Sequence, residues 1–429
     1  MTTGTILTAA ERIEEKYGGK WEKAGSSILK PPPAIHTGSI LLDQAIGECK
    51  GWPEGSIIEA YGPQHSGKTL LGYLAISASQ KAHPGRDHLL IDAENQFKFQ
   101  ALWAKQVGVN VEDLFVTGVT SAEEAFDKIE MAIVGKVELD KEGSVRRVIQ
   151  PGNFGVILID SVTQLVPLEM VHKSMEDKTR MAMLASVMSH GLKKVVSAMS
   201  LAKSKTILIF INQTRANIGK MFGNKETRTG GTALPFYDTI ALRVAKVWGS
   251  EERDEKGRIF AHQVKLKFEK NKAGQLPANP ILFRLRYDGT GIDNDHELFS
   301  VAELNGLIQK FKRKYNFVKP GTDELLKESL ESFPKEDFAK VIKANPDIEK
   351  MIMDFIEQGS FYSPDDIKED DPDSNDDEVE KKTEETTEGT EEITTEGGTE
   401  ETVEGKEKKD SWTEAQRAEA EKIGRKKLK

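Results

Sequence analysis

Four strand-length apolar runs punctuate the first half of the chain: Ser56–Tyr61, His88–Asp92, Phe154–Asp160 and Thr206–Gln213. None alternates apolar with polar residues, as a strand with one wet face would. Such runs predict strands buried on both faces, hence a mostly parallel sheet covered by helices. After the first run, Leu70, Leu71, Leu74 and Ile76 recur at helical spacing as far as the breaker pair Pro84-Gly85. The pattern then changes. Residues 239–248 and 258–270 alternate, and predict a hairpin around the polar turn Glu251–Gly257. Residues 10–18 read as a short helix ended by glycine, and Pro31-Pro32-Pro33 as a stiff linker. From about residue 298 the pattern turns helical, with Met351-Ile352-Met353 and Phe355-Ile356 near its end. Beyond Ser363 a Glu/Thr/Gly/Asp-rich stretch holds too few apolar residues to fold and is expected to be disordered.

Between the first strand and its helix lies Gly62-Pro63-Gln64-His65-Ser66-Gly67-Lys68-Thr69, which fits the phosphate-cradling pattern G-x-x-x-x-G-K-[ST]. Strand, glycine loop and helix follow in the order this chemistry needs. Glycines let backbone N–H groups turn inward around phosphates, and the helix N-terminus, beginning with Lys68, Thr69 and Leu70, adds favourable partial charge. Lys68 would reach the β/γ-phosphates and the Thr69 hydroxyl would ligate Mg²⁺. The loop predicts a nucleoside triphosphate site, with ATP and Mg²⁺ as the expected ligands, and leaves open what the energy drives.

Charge narrows the possible partners. The formal net charge is −10, yet residues 365–405 alone carry 19 acidic residues against 3 lysines. The body, residues 1–364, sits near neutrality at +2, and residues 406–429 at +4. No overall basic footprint exists, so nucleic-acid binding has to come from local clusters. The acidic tract could compete with duplex phosphates for those clusters and act as a brake. The segment Trp412–Lys429 has helix-forming composition and a basic end, and reads as a recognition peptide or a solvated tail. Cys49 is the lone cysteine, so no intrachain disulfide can form. With no secretory signal and no transmembrane run visible, a cytoplasmic location and no membrane partner are expected.

Asp160, ending an apolar run before Ser161, stands where an acid holds the Mg²⁺ shell in P-loop proteins, often through water. Glu94 follows a neighbouring run and could orient or deprotonate the attacking water; by position Asp92 competes with it. Gln213 ends the next run and could sense a γ-phosphate and report its loss to the following loop. That loop, Thr214 to Thr229 and closed by Gly230-Gly231, carries Arg215, Lys220, Lys225 and Arg228 with Met221 and Phe222 between them. Cations for phosphates and apolar groups that wedge between bases suit DNA, although an ordinary surface loop has a similar composition. Lys270-Asn271-Lys272 ends the predicted hairpin and by composition reads as a solvated turn.

Taken together these motifs resemble the RecA family of recombinases. Gly62–Thr69 resembles its Walker A loop, Asp92-Ala93-Glu94 its catalytic-glutamate segment and Ile159-Asp160-Ser161 its Walker B segment. The segment from Ile209 to Gly231 resembles its allosteric glutamine and second DNA-binding loop, and Ala233-Leu234 and Phe236-Tyr237 continue the likeness, which spans roughly residues 8–360. The fold implied is α/β: a P-loop NTPase core with a mostly parallel central sheet, an N-terminal helix-strand arm and a small α/β C-terminal domain. A disordered acidic tail follows.

The corresponding boundaries are 1–34, 35–297, 298–362 and 363–429. The resemblance implies that Glu94 activates water and that Gln213 couples nucleotide to DNA. It implies that Lys270 and Lys272 reach the γ-phosphate on the neighbouring subunit, that Phe236 lies at the subunit interface and that Trp103 replaces an aromatic that stacks on adenine. The N-terminal arm would dock on the next protomer, and a head-to-tail contact that does not close gives a helical homo-oligomer. Single- and double-stranded DNA are the implied partners, with single-strand-binding and loader proteins as further ones. Departures from the family pattern are Gln64-His65 in place of the usual Glu-Ser, a longer segment after Glu94, a poorly matched first DNA loop (about Pro167 to Lys178) and an insertion at 134–153. Two rival readings share the core: a ring-forming helicase or motor, and a nucleotide-binding regulator that binds DNA without robust turnover.

Overall fold

The computed structural model describes residues 11–12, 15–16, 30–139, 145–171, 180–216, 226–277, 280–319, 324–326 and 331–357. Among these, an eleven-stranded sheet organises the core. Its strands lie in the order Gly291–Ile292, Ile281–Arg286, Ile259–Asn271, Ile240–Lys246, Ile57–Gly62, Ile207–Ala216, Phe154–Asp160, Asp87–Asp92 and Leu114–Thr117, with Glu226–Arg228 and Glu252–Arg253 added at the side. From Ile240–Lys246 to Leu114–Thr117 every neighbouring pair is parallel. The remaining strands are antiparallel.

The non-alternating apolar runs are explained by helices on both faces. Because successive side chains of a strand point to opposite faces, Ile58, Leu90, Leu158 and Ile209 enter one apolar cluster with Leu70, Leu71 and Ile76 of the helix Lys68–Ala82. Ile57, Ile91, Ile159 and Phe210 enter another, with Phe126 and Ile129 of the helix Ala122–Val134 and Met188, Leu192 and Val195 of the helix Arg180–Ala202. The expected hairpin is present as Ile240–Lys246 paired antiparallel with Ile259–Asn271. No described helix is long and apolar enough to cross a membrane.

Parallel register brings the strand ends together. Gly62 is the partner of Gln213, and Asp92 of Asp160. Four polar or loop-forming positions, taken from widely separated parts of the sequence, therefore arrive at one edge of the sheet, the crevice where α/β sheets bind ligands.

A third apolar cluster, of Leu298, Phe299, Phe317, Phe333, Phe338, Ile342 and Ile352 among others, forms the core of the region after the sheet. Helices Asn294–Leu304, Phe338–Ala344 and Pro346–Glu357 enclose it, together with a small hairpin, Ile308–Phe311 and Lys314–Phe317. The hairpin adds to the helical pattern read along this stretch and accords with the small α/β C-terminal domain implied by the resemblance. Its strands have four residues each and turn through Lys312 at φ 57°, too short to establish a two-residue period. The region is tied back by Glu297, which is fully buried. Its carboxylate accepts the Ser39 hydroxyl at 2.6 Å and the Ile40 N–H at 2.7 Å, at the start of the helix Ile40–Ile46. Burial pushes the Glu297 carboxyl up to about 7.

Within the insertion at 134–153 the chain forms a separate two-stranded hairpin, Lys136–Leu139 with Val145–Ile149. Most of the expected N-terminal arm, the whole expected tail, residues 172–178 of the expected first DNA loop, and Lys220, Met221, Phe222 and Lys225 of the second lie outside the described residues.

Candidate nucleotide site and its link to the 214–231 loop

Gly62 ends its strand at φ 152°, and a Cβ there would lie 2.0 Å from the Val244 carbonyl oxygen, so only glycine lets the chain leave the sheet at this point. The loop then exposes Pro63, Gln64 and His65 and buries Ser66. Gly67 adopts φ 93° at the N-cap of the helix Lys68–Ala82. Its carbonyl accepts the Leu71 N–H, which leaves the N–H groups of Lys68, Thr69 and Leu70 at the free end of the helix. The Leu70 side chain points into the core, so its contribution to the site is its backbone. The Lys68 ammonium is almost fully buried and donates to the Pro63 carbonyl and, at 3.4 Å, to the Ser66 hydroxyl. Both are uncharged oxygen acceptors, which an anionic phosphate oxygen would outcompete for the ammonium. Burial pulls Lys68 below the usual lysine range, while Asp160 and Glu94 oppose that shift.

Across the edge, the Thr69 hydroxyl donates to Asp160 Oδ2 at 2.7 Å. Burial pushes Asp160 up to about 6, with the Thr69 hydrogen bond acting against it. Two hard oxygen donors thus adjoin, a set suited to Mg²⁺, which keeps water and phosphate oxygens as its other ligands. The Asp160–Ser161 peptide is cis.

Glu94 lies beside this pair. Its Oε1 accepts the Ser161 hydroxyl at 2.6 Å and the Gln213 side-chain amide at 3.0 Å. Gln64 donates to Gln213 Oε1 at 3.5 Å, bringing the P-loop into the same chain of contacts. Asp92, the competitor of Glu94, is otherwise engaged: its two oxygens accept the N–H groups of Gln96 and Phe97 at the start of the helix Phe97–Gln106. Lys68, Thr69, Glu94, Asp160, Ser161 and Gln213 are therefore brought together.

Other expected site residues are placed elsewhere. Trp103 is half-buried and packs against the core, edge-on to Tyr73 with ring centroids 5.6 Å apart. Arg228 was expected among the phosphate-binding cations of the loop. Its guanidinium is instead turned inward, bonded to Glu59 Oε2 at 2.7 Å and lying 3.7 Å over the Tyr61 ring. Arg215 takes its place in the ladder opposite Thr227. Gly230 and Gly231, at φ 87° and 77°, close the loop. The Lys270 ammonium donates to Asp238 Oδ1 at 2.6 Å and to the Pro235 carbonyl at 2.7 Å. Lys272 is exposed, and its backbone N–H donates to Thr239. Phe236 is 74% exposed, an apolar ring presented to solvent beside Tyr237.

Sequence reasoning missed Glu59, Asn212 and Asp238, each fully buried. The signal for Glu59 was present: an acid inside the apolar run Ile57-Ile58-Glu59-Ala60 has to find partners once the strand is buried. Asn212 supplies one, donating to Glu59 Oε1 at 2.8 Å.

Comparison with known proteins agrees with this geometry. The family model described as the RecA N-terminal domain matches residues 5–293. The chain belongs to the RecA family. It is 35% identical to Protein RecA of Mesoplasma florum over 317 residues, which cover 73% of this chain and 86% of that protein. It is 33% identical to Protein RecA of Ehrlichia canis over 347 residues, 80% of this chain and 88% of that one. With Protein RecA of Bacillus cereus the identity is 32% over 363 residues, 84% of this chain and 95% of its relative. RecA membership gives the chain a recombinase function in DNA recombination and repair, and DNA-dependent ATPase activity. Nucleotide binding, DNA binding and self-association come with it. The RecA assignment sets aside the ring-motor and non-hydrolysing regulator readings.

Proposed function

We propose that this RecA-family chain hydrolyses ATP at an edge completed by a second copy of itself, coats single-stranded DNA as a helical filament, and pairs and exchanges it with homologous duplex. The observation that carries the proposal is the shared oxygen of Glu94. One carboxylate oxygen holds both Ser161, beside the Asp160 position, and Gln213, at the head of the DNA-loop strand.

In this reading Glu94 orients a water against the γ-phosphorus and takes its proton as the water oxygen bonds to phosphorus and the bond to the ADP oxygen breaks. Lys68 and the N–H groups of the P-loop hold phosphate oxygens. Thr69 directly, and Asp160 through water, would hold Mg²⁺, which when bound neutralises charge on the transferring phosphoryl group. Gln213 responds to the presence of the γ-phosphate and passes that state to the 214–231 loop, where Arg215, Lys220, Met221, Phe222 and Lys225 meet DNA. Lys270 and Lys272 complete the site of the adjacent copy, and Phe236 packs in the contact between them. The cycle would run in the cytoplasm, drawing on single-strand-binding and loader proteins.

The test is ATP hydrolysis with and without single-stranded DNA, images of the DNA complex by electron microscopy, and strand exchange between circular single strands and homologous linear duplex. Lys68→Ala serves as the inactive control. DNA-stimulated turnover, filaments and exchange are expected. No stimulation together with no filament would sink the proposal.

A further inference from the structure

Glu59 is a buried acid that the nucleotide-binding edge does not use. It sits in the middle of the strand Ile57–Gly62 and is fully buried. A lone carboxylate there would be untenable, and each oxygen has its own donor: Asn212 Nδ2 on Oε1 and Arg228 on Oε2. Tyr61, two residues along and so on the same face, offers its ring to the flat side of the Arg228 guanidinium. Burial pushes the Glu59 carboxyl up, and the Arg228 charge and the Asn212 hydrogen bond oppose that shift.

From Glu59 the contacts run on without a gap to the water-activating group. Asn212 Nδ2 also donates to the Thr229 carbonyl at 3.0 Å, and Asn212 Oδ1 accepts the Gln213 N–H at 2.9 Å. The Thr229 hydroxyl donates to the Gln213 carbonyl at 3.4 Å, and the Gln213 side chain bonds Glu94 at 3.0 Å. Arg228 itself lies on the return strand Glu226–Arg228, opposite Thr214. The return strand is thus fastened to the strand that leads into the P-loop, one residue from the glutamine that touches Glu94.

We infer that Arg228 and Glu59 are positioning residues that couple the DNA loop to Glu94, and that Arg228 is not a phosphate contact. The inference rests on the reading that the 214–231 loop binds DNA and that Glu94 activates water. A displacement of the return strand on DNA binding has to move Arg228, and with it Asn212 and Gln213, because the buried Glu59 cannot be left unpaired. The coupling then follows from contiguous contacts with named partners, which is the kind of warrant such a claim needs.

The experiment uses the full-length protein with a poly-dT oligonucleotide and two variants, Arg228→Gln and Glu59→Gln, each checked by thermal melting. Two quantities are read: the factor by which saturating DNA stimulates ATP hydrolysis, and the slope of log affinity against log salt. Each variant is expected to lose roughly tenfold of the stimulation factor, with the salt slope unchanged. The double variant should lose no more than either single one, since both act on one link. Should Arg228→Gln fail to fold, Glu59→Gln carries the test alone, because a fully buried residue cannot reach DNA. Stimulation retained within about twofold would overturn the inference. So would an Arg228→Gln slope shallower by about 0.7, the mark of one lost single-strand phosphate contact. A wild-type protein with no DNA stimulation would remove the functional reading and this inference with it. A stimulated wild type with unaltered variants would remove the inference alone.

Discussion

The two halves of the sheet use charge differently. In the parallel half, strands run the same way and their ends collect at one edge, so Gly62, Asp92, Asp160 and Gln213 arrive as neighbours. In the antiparallel half, consecutive strands end at opposite edges, and charges pair close to home. Arg284 bonds Glu252 and Asp293, and Arg286 bonds Asp288. The first arrangement concentrates unlike groups around a space for substrate. The second neutralises charge on a surface that holds shape. Apart from Lys270 and Lys272, at the end of the strand Ile259–Asn271, reaction chemistry is accordingly expected to depend on the parallel half and to be nearly indifferent to the Arg284 and Arg286 ion pairs of the other.

The strongest way to test this contrast is Glu94→Gln. The amide keeps an oxygen to accept Ser161 and Gln213 but no longer takes a proton, so turnover should fall about 10²–10⁴-fold while nucleotide binding persists. Single-turnover kinetics beside a nucleotide-binding titration would check it. Gly62→Ala should act through the backbone at the junction of the halves. A Cβ 2.0 Å from the Val244 oxygen forces the strands apart, costing about 2–4 kcal/mol of stability and the P-loop geometry with it. Urea unfolding would read the cost, and a variant as stable as the parent would show that the junction yields.

Glu297 provides a pH test away from both halves. Its folded value of about 7 lies above the 4.5 of an ordinary glutamate. The folded protein therefore holds this proton more tightly than the unfolded chain. The stability it contributes is fully present below about 4.5 and is lost as pH rises to about 7, a change on the order of 3 kcal/mol. Glu297→Gln should remove that contribution, so the parent's advantage over the variant should grow as pH falls from 7.5 to 5. A difference between the two that is flat with pH would contradict it. The smallest effect is expected from Arg284→Ala, about 1–2 kcal/mol of stability from a partly exposed cluster, with DNA-stimulated turnover within about twofold of the parent. A large loss of turnover there would break the contrast between the halves.

Much of this architecture was legible in the sequence because its signals are local. The run Phe154–Asp160 names a buried strand and the acid at its end, and Gly62–Thr69 names a loop whose residues are consecutive. The choice between Asp92 and Glu94 was not legible, since one ends the strand and the other lies only two residues beyond it. It turns on which carboxylate receives the N–H groups of Gln96 and Phe97. Nor was the turning of Arg228 to Glu59, a pairing of residues 169 apart in sequence that exists only once two strands are set in register. Composition made Lys270 a solvated cation; the buried Asp238 that holds it became visible only when the short helix Ala233–Tyr237 was placed beside the strand end.

The hairpin Lys136–Ile149 has a practical use. Its strands pair only with each other, and Lys136 and Ile149 are register partners, so its two ends stand about 5 Å apart. A two-residue turn can span that gap, and so can the termini of a compact label. The hairpin is therefore a natural port for a fluorophore or an affinity handle, by which assembly of the protein on DNA could be watched without touching the sheet.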